Sequence, residues 1–191
     1  LTAKIQILLI SLTFVTLILF GVGATAFIRN QYEEKTNKII SEKVHSIESE
    51  IFQKIGSATE LGREEKDYSE KVLENLSKIF ITDINIFRVD GDLFASSRPI
   101  IYINGLLGEK MNPKAFQALT MDKKSEFIHQ ERIGKLEYIS AYVPFYNNKG
   151  KLLAYINLQY FSQQNELENE LSEFLVAIIN IFVFLLAFSI L

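Results

Sequence analysis

The chain has 191 residues, 48% of them hydrophobic, with 20 Lys and Arg against 23 Asp and Glu, a formal charge of −3 and no cysteine. A charge this near neutral argues against a nucleic-acid partner, and the missing cysteines exclude disulfides, thiolate metal sites and cysteine nucleophiles. Residues 5–28 are charge-free over 24 positions and residues 174–191 over 18, with nearly every ionisable group between them, which excludes a soluble cytoplasmic protein.

At about 1.5 Å per residue the first run makes a helix of about 36 Å and the second one of about 27 Å, against a hydrocarbon core of about 30 Å. Both are read as transmembrane helices, 5–28 and a truncated 174–191, enclosing an extracytoplasmic domain at 29–173. The chain starts at Leu1 and stops inside the second run, so it reads as a segment of a longer protein. A cleaved signal peptide is the rival reading of the first run, because Ala24-Thr25-Ala26 matches a small-x-small cleavage site. Residues 152–173 hold neither Lys nor Arg, while Glu166, Glu168, Glu170 and Glu173 crowd the approach to the second run. That asymmetry puts the domain outside and both chain ends in the cytoplasm.

Within the domain, Ile40, Val44, Ile47, Ile51, Ile55 and Ala58 recur three to four apart, which predicts an amphipathic helix over about 31–57. Its stripe suits packing on a sheet, pairing with a second copy, or both. His45 on this helix reads as a surface histidine. A second helix follows over 68–80, then a strand at 81–89, a tight turn at Asp90-Gly91 and a returning strand at 93–97. Asn112-Pro113 starts a short helix over 115–121. Strands at 126–131, 136–144 and 151–159 close the domain, joined by turns at Ile133-Gly134 and at 147–150. The fold class is α+β: an antiparallel five-stranded sheet with a long N-terminal helix, flanked by two transmembrane helices.

Alternation assigns the sheet's faces. Ile139, Ala141 and Val143 share one face with Leu152, Ala154, Ile156 and Leu158, which suits burial under the long helix. The other face carries Tyr138, Ser140 and Tyr142 beside Leu153, Tyr155, Asn157 and Gln159. Aromatic walls with hydrogen-bonding groups between them are how small-molecule pockets are built, and half-buried sheet tyrosines with their hydroxyls in water would look the same.

The stretches Asp83-Ile84-Asn85-Ile86-Phe87, Asp90-Gly91-Asp92-Leu93-Phe94-Ala95-Ser96-Ser97, Gly105-Leu106-Leu107, Met111-Asn112-Pro113, residues 138–144 and Ala154-Tyr155-Ile156-Asn157-Leu158 resemble the extracytoplasmic PAS-like, Cache-type sensor region of bacterial membrane-bound histidine kinases. The resemblance covers 29–173 with both flanking runs. It implies a homodimer in the bacterial cytoplasmic (inner) membrane, a small-molecule ligand or stimulus sensed outside, a cytoplasmic kinase region after Leu191 and a response regulator as its partner. The arginine- and tryptophan-containing amino-acid signature of Cache sensors is not met, because the chain holds no Trp.

No catalytic or metal-binding residue is expected here, and no cofactor. His129 on its strand has no companions for a triad, and Asp90 and Asp92 are explained by turn chemistry. The expected ligand-binding residues are Arg98, Tyr138, Ser140, Tyr142, Tyr155 and Asn157, with Arg98 able to grip an anionic ligand in bidentate fashion. An input domain of a chemotaxis or cyclic-nucleotide receptor, or a membrane-anchored interaction domain, fits the same residues.

Overall fold

A computed structural model describes residues 2–161 and 164–190. They form helices α1 (Thr2–Ile55) and α2 (Arg63–Phe80), strands β1 (Asp83–Arg88) and β2 (Leu93–Ser96), helices α3 (Ile100–Ile103) and α4 (Pro113–Thr120), strands β3 (Phe127–Ile133), β4 (Leu136–Tyr146) and β5 (Leu152–Tyr160), and helix α5 (Gln164–Ile190). The chain divides into two compact units, Leu1–Thr36 with Gln163–Leu191, and Asn37–Ser162.

In the first unit, α1 carries the charge-free run 5–28, and it is the one helix among the described residues long and apolar enough to cross a membrane. Helix α5 carries a shorter apolar stretch, Leu171–Phe184. Ile178 packs where Gly21 leaves room, its Cδ1 being 3.9 Å from the point a Cβ would occupy. Phe14 and Phe182 meet with ring centroids 5.5 Å apart. Leu1 and Leu191, and the residues 162–163 that link β5 to α5, lie outside the described residues.

In the second unit, all five strands form one antiparallel sheet in the order β2-β1-β5-β4-β3. One face is the apolar core. Ile40, Val44, Ile47, Ile51 and Ile55 of α1 and Val72, Leu73 and Leu76 of α2 bury against Ile84, Ile86, Phe94, Ala141, Val143, Ala154, Ile156 and Leu158. Burying a single isoleucine or leucine side chain is worth about 1.5–3 kcal/mol, so this interface dominates the stability of the unit. The α1 stripe is spent on the sheet: Val44, Ile47 and Ile51 are wholly inaccessible and Ile55 nearly so. A contact with a second copy through these residues, expected from the sequence, has no side chains left to make it.

Three local readings change. Ile81 was expected to open the first strand, but it caps α2 in the left-handed region with φ 51°, and the strand starts at Asp83. Leu152 and Leu153 exchange faces, because a bulge at Phe145/Tyr146 sets Tyr146 opposite Leu152 and leaves Leu153 without a partner. Leu153 therefore joins the core under α1 and Leu152 the opposite side. The short helix α3 was not anticipated, since four residues are too few for a helical period to show.

Candidate ligand-binding site

Successive residues of a strand point to opposite faces, so Ile84 and Ile86 in the core send Asp83, Asn85 and Phe87 to the other side. The register carries this across the sheet. Asp83 lies opposite Gln159, Asn85 opposite Asn157 and Phe87 opposite Tyr155. Gln159 in turn lies opposite Ser140, and Asn157 opposite Tyr142. Ser140 then faces His129, and Tyr138 faces Glu131.

The second face has an apolar end and a polar end. At the apolar end Phe87, Tyr142 and Tyr155 pack with Met111, Ala115 and Leu119 under α4. Phe116 meets Tyr155 edge-on at 6.2 Å. Asn112 accepts a hydrogen bond from the Lys114 N–H at 2.9 Å and Pro113 occupies the first turn, which fixes where α4 begins. At the polar end Asp83, Asn85, Ser140, Asn157 and Gln159 are all 5% exposed or less. Burying five polar side chains on a sheet face is costly unless each finds a partner.

Some partners are internal. Asn85 Nδ2 donates to Asn157 Oδ1 at 2.9 Å, and Asn157 Nδ2 donates to the Ala141 carbonyl at 3.2 Å. Glu131 collects three groups: Tyr142 donates to Oε1 at 2.7 Å, Tyr138 donates to Oε2 at 2.8 Å, and His129 Nε2 lies 2.9 Å from Oε1. Burial alone would raise the Glu131 carboxyl, but His129, Tyr142 and Tyr138 together hold it below the usual carboxylate range. Burial and the Glu131 charge push both tyrosines far above their ordinary value, so they stay neutral donors.

Asp83 is left short. Its Oδ1 lies 3.3 Å from Arg98 Nη2, while Oδ2 is buried with no partner among the described residues. Burial raises its pKa and Arg98 opposes the shift only in part, because that guanidinium is 58% exposed. Tyr102 of α3 is 7% exposed, and burial, then the charges of Glu131 and Asp83, push its phenol up. The face thus concentrates two carboxylates, a ring of neutral hydrogen-bonding groups and one cation at its rim.

Of the residues expected from sequence, Tyr138, Ser140 and Asn157 come together on this polar end, Tyr142 packs in the apolar cluster and reaches the polar end through its hydroxyl on Glu131, and Arg98 stands at the edge on Asp83. Tyr155 lies at the apolar end under α4. Sequence reasoning missed Asp83, Asn85, Glu131 and Tyr102. The signal for the first two was present, since Asp83 and Asn85 alternate with Ile84 and Ile86. Glu131 and His129 alternate in the same way with Ile128 and Gln130. No group of three His, Asp or Glu side chains able to hold a metal ion occurs among the described residues.

No protein-family model matches the chain, and no curated protein matches it. Its structure is similar to solved sensor domains of signalling receptors. It resembles the sensor domain of the V. cholerae histidine kinase DctB at 14% identity and TM-score 0.44, over 68% of this chain and 57% of that one. It resembles the E. coli DcuS sensor domain at 10% identity and TM-score 0.42, over 64% and 90%. It also resembles the ligand-binding domain of the Campylobacter jejuni chemoreceptor Tlp3, solved with L-valine, at 14% identity and TM-score 0.47, over 84% and 65%. The chain thus spans a little over half the length of the DctB structure.

Proposed function

We propose that the chain is the membrane-anchored input region of a two-component sensor histidine kinase, with a PAS-like, Cache-type domain outside the bacterial cytoplasmic membrane that senses a small polar ligand. The carrying observation is the buried polar face. A sheet that only had to be covered would carry apolar residues on both sides, whereas here Asp83 Oδ2 is kept from water without a partner among the described residues. An incoming N–H or O–H fits that oxygen. Arg98 already offsets part of the Asp83 charge at the rim, and a second carboxylate stands at Glu131, so a ligand that donates hydrogen bonds suits the face better than a second anion.

The route out of the domain supports signalling. Asn157 and Gln159 lie on β5, the strand that leads towards α5. Near its end, Lys43 of α1 donates to the Phe80 carbonyl at 3.0 Å and sits 4.9 Å over the Tyr160 ring, tying the long helix to the end of β5. A ligand that binds two arrangements of these elements unequally shifts their balance by that difference, typically about 1–3 kcal/mol. The homodimer of this reading pairs through α1 positions left exposed, such as Ile39 and Phe52 at 43% and 45%.

Thermal-shift screening of small metabolites against the whole chain in lipid nanodiscs tests this. A hit is expected whose stabilisation is lost in Ser140→Ala and Asp83→Asn. A hit indifferent to both variants would move the site elsewhere. A reporter inserted at Asn148 that reads cytoplasmic would sink the external sensor altogether.

A further inference from the structure

Between α1 and α5 in the first unit lies an unfilled groove of about 570 Å³. Its origin is local. Gly21, Thr25 and Ala26 put almost no side chain on one flank of α1, and Thr25 turns its hydroxyl back to the Gly21 carbonyl at 2.8 Å, leaving a methyl group outward. Leu17 closes the deep end and Leu175 and Ile178 of α5 form the other wall. The shallow end is different in kind, with Arg29 and Asn30 on the rim. Arg29 is the first charge after the apolar run and makes no ion pair among the described residues.

We infer that this groove is a lipid site, taking one acyl chain of an anionic phospholipid along Leu17, Gly21 and Ile178 with the phosphate on Arg29 and Asn30. Three features select that occupant. Twelve residues separate Leu17 from Arg29, a rise of about 18 Å, close to the depth of one leaflet of a core about 30 Å thick. The groove is apolar along its length and carries its cation and amide donor only at the end where headgroups lie. A cation with no ion pair among the described residues attracts an anionic headgroup, at about 1 kcal/mol for each basic residue near the surface. A second copy's helix would gain from the small residues but has no use for an arginine at the mouth. The inference rests on residues 5–28 spanning the membrane, and it is independent of what the polar face of the sheet binds.

The chain contains no Trp, so a single introduced Trp is a clean reporter. Ile18→Trp places one at the groove and Phe20→Trp one on another side of α1, each in the whole chain reconstituted in nanodiscs. Quenching by brominated phosphatidylglycerol is compared with quenching by brominated phosphatidylcholine. At position 18 the anionic lipid is expected to quench several-fold more effectively; at position 20 the two should be equal. Arg29→Gln should abolish the preference, and Gly21→Leu, which fills the groove, should lower quenching by both lipids, with circular dichroism confirming that helix content is kept. Equal quenching at position 18, or a preference that survives Arg29→Gln, overturns the site. Quenching that fades as the chain is concentrated within the bilayer assigns the groove to a second copy and overturns it too. No quenching by any lipid at either position would instead refute the membrane span on which the inference stands.

Discussion

The same strands present Ile84, Ile86, Ala141, Val143, Ala154, Ile156 and Leu158 to helices α1 and α2 on one side of the sheet, and Asp83, Asn85, Ser140, Asn157 and Gln159 on the other. Both sets are buried, so water contact does not distinguish them. The apolar set is satisfied by packing within the chain. The polar set is satisfied in part, through Asn85 with Asn157 and through Glu131 with its tyrosines, and among the described residues it is left open at Asp83 Oδ2 and Ser140 Oγ. One face accounts for why the domain folds, and the other carries features that folding alone does not require.

The largest test of this contrast is on the apolar side. Ile156→Ala removes a wholly buried side chain between the sheet and the long helix. It should cost about 2–5 kcal/mol by urea denaturation, as lost transfer energy plus a cavity, and leave any ligand's selectivity unchanged. A loss below about 1 kcal/mol would mean that the helix does not pack there as described.

Glu131→Gln is next. It removes the charge that three neighbours hold in place and should cost about 1–3 kcal/mol at pH 7. Because the folded carboxyl sits below its ordinary value, its contribution is complete above that ordinary value and is lost as the pH falls through the lower folded value. The gap between wild type and variant, followed by thermal unfolding, should therefore close on acidification. A gap that stays constant with pH would show that the charge is not what matters.

A smaller effect is expected for the Asn85–Asn157 hydrogen bond. A double-mutant cycle with Ala at both positions should return a coupling of about 1 kcal/mol, the double variant costing less than the sum of the two single variants, since each single variant strands a buried amide that the second substitution removes.

Much of this contrast is legible in the sequence alone. A period of two in the last two strands, and of three to four in the long helix, assigns the core face at Ile139, Ala141, Val143, Ala154, Ile156 and Leu158. What escaped has identifiable causes. The Phe145/Tyr146 bulge reverses Leu152 and Leu153, and a one-residue irregularity leaves no mark on composition. Ile81 is a β-branched residue in a left-handed cap, against its own preference, so it read as strand. Glu131 entered the site through cross-strand register with Tyr138, a pairing that follows from turn geometry rather than from any motif. Asp83 was hidden in plain alternation, because a lone acidic residue at a strand's start reads equally well as solvated.

Asp83→Asn gives the smallest effect and the one whose sign separates the two faces. A truncation on the apolar side can only destabilise, whereas this change removes a charge that burial already disfavours. Asp83 has a folded pKa above its ordinary value, so the folded state holds the proton more tightly than the unfolded one. Stability linked to that proton is present at pH below the unfolded value of 3.8 and is lost as the pH rises through the raised folded value, leaving the ionised carboxylate a net liability at neutral pH. The near-isosteric amide relieves that liability, and Arg98, already more than half exposed, moves to solvent at little cost. The melting temperature of the variant should therefore exceed that of the wild type at pH 7, by a margin that shrinks to nothing near pH 4, while ligand stabilisation is lost. A residue that weakens the fold and is needed for binding is placed for function; a variant less stable at pH 7 would instead make Asp83 a structural ion-pair partner of Arg98, and the polar face would then be part of the fold's own support.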